Sequence, residues 1–199
     1  MAANAVAIKR LASEFVKLVD DPVPGIVARP VDEAAMGGRW SFALLGPPDS
    51  AYEGGVFTGF LDFPSDYPHS PPRMKFDPPI THPNVYATGE RKGEVCISIL
   101  HAGEDRYGYE RLEERWSPVH GVRSILLSVT TMLADVNIES PANIDAAKLY
   151  SRDRPAFQAV VRWEVERSLG LAGGGSGRGA TSAAATGGGA GGGGGGHRR

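Results

Sequence analysis

A chain of 199 residues with a net charge of −2 is long enough for one domain with its own core. It lacks the basic excess that would point to nucleic acid or an anionic membrane. One cysteine cannot form an intramolecular disulfide, which excludes a disulfide-stapled secreted scaffold and fits a reducing compartment. Lys9, Arg10 and Glu14 interrupt the N-terminal run too early for a signal peptide, and nothing approaches a transmembrane span, so the expectation is a soluble cytoplasmic protein.

In chain order, the first element is a helix. Ile8, Leu11, Phe15 and Leu18 recur at spacings of three and four, with Lys9, Arg10, Glu14 and Lys17 mostly on the other side. Asp20-Asp21-Pro22 and Pro24-Gly25 stop it. The period then falls to two. A short run over about 26–31 is followed by Trp40, Phe42 and Leu44, then Phe57, Gly59, Leu61 and Phe63, then Met74 and Phe76. Connections this short are too brief for parallel crossovers, so the runs predict an antiparallel meander of four strands. Between Phe63 and Ile80 a proline-dense stretch, Phe63-Pro64-Ser65-Asp66-Tyr67-Pro68-His69-Ser70-Pro71-Pro72, predicts a rigid, aperiodic edge.

After Trp116-Ser117-Pro118, Val122, Ile125, Leu126, Val129, Met132 and Leu133 form a broad apolar face, as expected of a central, largely buried helix. Asn143 and Asp145 are candidate caps for short helical material leading to Pro155, a good first-turn residue. A last helix runs through Phe157, Val160, Val161 and Val165 to about Leu169. The fold class is therefore α+β. Beyond Leu171 the chain is glycine, alanine, serine and threonine, which cannot bury enough apolar surface to offset ordering. The expected division is a domain over 1–171 and a disordered tail over 172–199.

Cys96 is the residue on which function turns. A lone cysteine in a soluble domain is commonly a small buried hydrophobe. Here the residues before it, Ala87-Thr88-Gly89-Glu90-Arg91-Lys92-Gly93-Glu94, are polar and turn-rich and place the thiol near a surface loop. No histidine-plus-acid set of the protease kind is evident, and His82, the nearest histidine ahead of the cysteine, is equally suited to a structural turn. One cysteine and five histidines without a close ligand pair do not make a tetrahedral zinc site. The glycine clusters lack the Lys-Ser/Thr of a phosphate loop.

His82-Pro83-Asn84, Gly93-Glu94-Val95-Cys96 and Trp116-Ser117-Pro118, with the proline-rich segment ahead of them, resemble the core of ubiquitin-conjugating enzymes over about residues 5–171. The insertion between Cys96 and Trp116 holds Glu104, Asp105, Glu110, Glu113 and Glu114. It is similar to the acidic-loop branch, most of all to members serving endoplasmic-reticulum-associated degradation. Cys96-Ile97-Ser98-Ile99-Leu100-His101, Gly108-Tyr109-Glu110 and Ser168-Leu169-Gly170-Leu171 match that branch as well.

The resemblance implies that Cys96 accepts ubiquitin from the activating enzyme as a thioester and passes it, with a ligase, to lysines, for proteasomal degradation. It implies no cofactor and no metal, and membrane association only through partners. By the same analogy Asn84 supports the oxyanion or the loop beside Cys96. Glu139 and Ser140 lie at the gate for the incoming lysine, and His101, Glu104 and Asp105 match acidic-loop residues that shape the site. Lys9, Arg10 and Lys17 match the basic helix that docks the activating enzyme. His69 and Val119 match the loop positions that meet RING-type ligases, and Leu127 matches an apolar contact for ubiquitin, although core packing would explain it equally. Neither the sequence nor the motif shows a base beside Cys96.

Two departures stand out. Most members place eight positions between the motif Asn and the Cys, whereas Asn84 to Cys96 spans twelve, the excess falling around Gly89-Glu90-Arg91-Lys92. It is expected to bulge outward, the other outcome being displacement of Asn84 from the thiol. Val136 also stands where a proline is usual. The rival readings are a non-catalytic ubiquitin-handling variant of the same fold and an enzyme for another ubiquitin-like modifier.

Overall fold

The computed structural model describes residues 4–33, 36–103, 105 and 110–171. The tail over 172–199 and Glu104 therefore lie outside the described residues.

Helix α1 (Ala5–Asp20) begins at Asn4, whose side chain accepts the Ala7 amide at 2.8 Å and satisfies one of the open donors of the first turn. Its buried residues are Ala7, Leu11 and Glu14. Glu14 is thus a correction to the outward placement its charge suggested. The Tyr67 hydroxyl donates to one Glu14 oxygen at 2.7 Å, and the Val122 amide donates to the other at 2.7 Å. Arg10 neutralises the carboxylate from the same helix. The burial is tolerated because every lone pair facing inward is used.

Four strands follow: β1 (Ile26–Pro30), β2 (Arg39–Leu45), β3 (Val56–Asp62) and β4 (Arg73–Phe76). They pair antiparallel in sequence order, with Trp40 opposite Leu61 and Leu61 opposite Met74. This is the expected meander. Trp40, Phe42 and Leu44 face the core beside Phe57, Leu61, Met74 and Phe76, as the period of two requires. Burying each such side chain stabilises the fold by about 1.5–3 kcal/mol.

Helix α2 (Val122–Ala134) crosses the core and buries all six residues of its expected face. Glu14 binds its first amide from another helix, and Gly121 leaves room for that carboxylate, since a Cβ would meet Glu14 Oε2 at 2.7 Å. Helix α3 (Ile144–Arg152) is capped by Asn143, which accepts the Ala146 amide at 3.0 Å; Asp145 sits in the first turn, where it complements the helix dipole. Helix α4 (Arg154–Ser168) carries Pro155 in its first turn behind the Asp153 cap. Its buried Glu164 accepts the Thr81 amide, at 2.9 and 3.0 Å, and the Thr81 hydroxyl at 2.7 Å, tying α4 to the loop that leads to His82. Trp116 Nε1 donates to Pro68 O at 2.9 Å and locks the proline-rich edge against the segment entering α2. No helix among the described residues is long and apolar enough to cross a membrane.

Candidate active site

The thiol segment hangs from the edge of the sheet. Val95 donates its amide to Met74 O at 2.8 Å and Phe76 donates to Gly93 O at 2.9 Å, which fixes 93–95 alongside β4. Val85 bridges Val95, and the Cys96 amide donates to Asn84 O at 2.8 Å. The extra residues between them form a turn that bulges outward, as expected. The Tyr86 amide donates to Glu94 O at 3.0 Å and the Gly93 amide to Tyr86 O at 2.8 Å, closing the turn at its base. Gly93 has φ +85°, and a Cβ there would meet Phe76 O at 2.6 Å, so only glycine permits this return. The insertion therefore leaves Asn84 paired with Cys96. The pairing runs through the main chain, however. The Asn84 side-chain amide forms no hydrogen bond with a described residue, while the residue as a whole is buried.

His82 builds the turn from beneath. It is fully buried, its Nδ1 accepts the Asn84 amide at 2.9 Å, and its Nε2 lies 3.0 Å from Met132 O on α2. Accepting at Nδ1 requires the proton on Nε2, which then donates to the carbonyl. Burial holds its pKa down at about 4, so the ring is neutral. His82 is a structural residue.

His101 is the histidine that meets the thiol. A 3-10 turn, Ser98–Leu100, carries the chain round so that His101 Nε2 lies 3.4 Å from Cys96 Sγ. Behind it Nδ1 lies 2.8 Å from Glu110 Oε1, which also accepts the Ser98 hydroxyl at 3.0 Å. Arg115 pairs with the other Glu110 oxygen and donates to Gly103 O at 2.7 Å and Ala102 O at 2.8 Å. Asp105 accepts the Glu110 amide at 2.9 Å. On the opposite side the Tyr86 hydroxyl donates to Sγ at 3.6 Å. The hydrogen bond to His101 pulls the thiol pKa down against the opposing effect of burial, and Tyr86 helps. The same bond, with Glu110, pushes His101 up. A half-buried thiol with these partners is not packing.

A base beside Cys96 is thus present although the sequence showed none. Cys96, His101 and Glu110 form the histidine-plus-acid set that was not evident. Its spacing has no period, because a 3-10 turn and an irregular loop bring it together. Its only sequence trace was the place of His101 and Glu110 in the acidic insertion between Cys96 and Trp116.

The remaining expected residues are spread around this centre. Glu139 and Ser140 are exposed, in a segment whose end is joined to the motif turn by the Asn143 amide donating to Pro83 O at 2.8 Å. Lys9 and Lys17 are exposed on α1, whereas Arg10 is occupied with Glu14 and donates to His120 O at 2.8 Å. His69 is exposed, and Val119 is 84% exposed. Leu127, 42% exposed on α2, is not a core residue.

The family model described as ubiquitin-conjugating enzyme matches residues 10–165. The human protein ubiquitin-conjugating enzyme E2 G2 is 49% identical over 166 residues, covering 83% of this chain and 98% of that protein. The Caenorhabditis elegans protein called probable ubiquitin-conjugating enzyme E2 7 is 52% identical over 148 residues, covering 74% of this chain and 87% of its own. The ubiquitin-conjugating enzyme E2-18 kDa of Schizosaccharomyces pombe is 46% identical over 169 residues, covering 84% and 99%.

Proposed function

The chain belongs to the ubiquitin-conjugating enzyme family, and from that premise we propose that Cys96 carries ubiquitin as a thioester and delivers it, with a RING-type ligase, to lysines of substrates or of ubiquitin. The destination we assign is endoplasmic-reticulum-associated, proteasomal degradation. The observation that supports this reading best is the 3.4 Å contact between Cys96 Sγ and a His101 ring backed by Glu110.

In loading, His101 accepts the thiol proton at Nε2, and Glu110 stabilises the imidazolium that results. The thiolate attacks the carbonyl carbon of the activating enzyme's thioester. The new carbon–sulfur bond forms, the old one breaks, and the departing thiolate takes up the proton. In transfer, a neutral lysine amine attacks the Cys96 thioester, the oxyanion collapses to an amide as the carbon–sulfur bond breaks, and the proton lost by the nitrogen passes to the departing Cys96 sulfur or to His101 beside it. Asn84 assists the oxyanion with a side-chain amide that is not otherwise engaged. Glu139 and Ser140, with Glu104 and Asp105 of the acidic loop, receive the incoming lysine. Lys9, Arg10 and Lys17 dock the activating enzyme, His69 and Val119 the ligase, and Leu127 the carried ubiquitin.

The test combines the full chain with activating enzyme, ATP and ubiquitin. A reductant-sensitive adduct is expected, and it should vanish in Cys96→Ala. Its absence, its survival of that substitution, or formation only with a different ubiquitin-like modifier would overturn the reading. Asn84→Ala should slow discharge to lysine by roughly a hundredfold, the usual cost of an oxyanion donor. Loading should change far less.

A further inference from the structure

We propose that Arg91, presented by the turn over 87–92, is a positioning residue for the Cys96 thiol. Its guanidinium holds the Tyr86 hydroxyl so that the phenolic proton points at Sγ and favours the attacking thiolate. The inference rests on Cys96 being the ubiquitin carrier, but its test does not involve ubiquitin.

A phenol oxygen has one proton to give and lone pairs to accept with, while a guanidinium only donates. Arg91 Nη1 donates to Tyr86 Oη at 2.6 Å. The phenolic proton therefore cannot turn back toward Arg91, and the acceptor it meets is Sγ at 3.6 Å. The guanidinium is itself held from two further directions. It stacks 3.9 Å from the centre of the Tyr86 ring, and its Nε and Nη2 donate to Glu94 Oε1 at 2.9 and 2.6 Å. Tyr86 and Glu94 face each other across the base of the turn, so the turn fixes both ends of the clamp.

A hydrogen bond to the anionic form of a group favours that form. Because Glu94 neutralises Arg91, and Arg91 is 51% exposed, the effect works through orientation more than through a field at distance. From the turn, the thiol is faced by Tyr86, Arg91 and Glu94. From the loop beyond it is faced by His101, with Glu110, Arg115 and Asp105 behind.

Alkylation of Cys96 by iodoacetamide, followed from about pH 5 to about pH 10, reads the thiolate directly. Arg91→Ala should slow alkylation about threefold at neutral pH, the scale of one weakened hydrogen bond, and move the midpoint upward. Tyr86→Phe should do the same, and adding Arg91→Ala to it should change nothing more. Arg91→Lys keeps the charge but not the fork, so it should resemble Arg91→Ala. An unchanged profile in Arg91→Ala, full rescue by lysine, or additive effects of the two substitutions would each overturn the proposal. Repeating the Arg91→Ala comparison in a His101→Gln background keeps the imidazole's own titration from masking the shift. If the wild-type chain takes up no ubiquitin, Cys96 fails as carrier, and alkylation still decides the role of Arg91.

Discussion

Two histidines flank Cys96 along the chain, and the regions around them have been put to opposite uses. His82 lies in the motif turn, fully buried, with a main-chain amide on one nitrogen and a main-chain carbonyl on the other. No carboxylate is among its hydrogen-bond partners, so burial decides its state and the ring stays neutral. His101 lies at the start of the loop over 101–115, half-buried between a thiol and a carboxylate. There the partners outweigh burial and favour the charged ring. The difference teaches that a histidine's partners, more than its place in a recognisable motif, decide its chemistry. A histidine becomes reactive when an acid stands behind it and an acceptor or acidic proton in front.

Substitutions can break that comparison. The largest effect is expected from His82→Ala, which removes two buried hydrogen bonds and leaves a cavity under Asn84. It should cost about 3 kcal/mol or more, a drop in melting temperature of roughly 6–12 °C. If melting is unchanged while Cys96 reactivity collapses, His82 has been assigned to the wrong region. Nearly as large is the acid sensitivity of the wild-type chain. The folded value of His82 is about 4 against an ordinary 6.5, so between those limits the unfolded chain binds a proton that the folded one refuses. Stability should therefore fall as pH drops through that window, by about 3 kcal/mol in all. Denaturant titrations at both ends should show this, and the His82 share should disappear in His82→Ala.

For the other region, Glu110→Gln removes the charge that favours the imidazolium. Cys96 alkylation at neutral pH should slow roughly tenfold with its midpoint moved up, while stability falls by only about 1 kcal/mol. Equal loss of stability and reactivity would reduce Glu110 to a brace. The smallest effect belongs to Ser98→Ala, which removes one of the donors to Glu110. About twofold in alkylation and roughly 0.5 kcal/mol in melting are expected.

Much of the scaffold was legible because it obeys a period. Trp40, Phe42 and Leu44 announce a strand face, and the six apolar residues of α2 announce a buried helix, since side-chain direction repeats with the backbone geometry. Glu14 was misread because period marks direction and charge was taken to mean solvent. Its partners, Tyr67 and Val122, arrive from segments 53 and 108 residues away. In the site, Cys96 and Asn84 were readable as a motif. His101 was readable only as one residue of the acidic loop. Its pairing with Glu110 and the contact of Tyr86 with the thiol arise where a 3-10 turn and an irregular turn fix distances that no regular spacing encodes.

The closed base of the 86–93 turn separates two problems that usually compete. Below it, the Asn84–Cys96 pairing holds the nucleophile in register with the sheet. Above it, length is inexpensive, since doubling a flexible loop adds only about 0.6 kcal/mol of closure entropy. Residues can be added, removed or exchanged at the tip without moving the sulfur. The turn is thus an adjustable arm on a fixed neck, through which the reactivity of the thiol can be retuned while the scaffold beneath stays as it is.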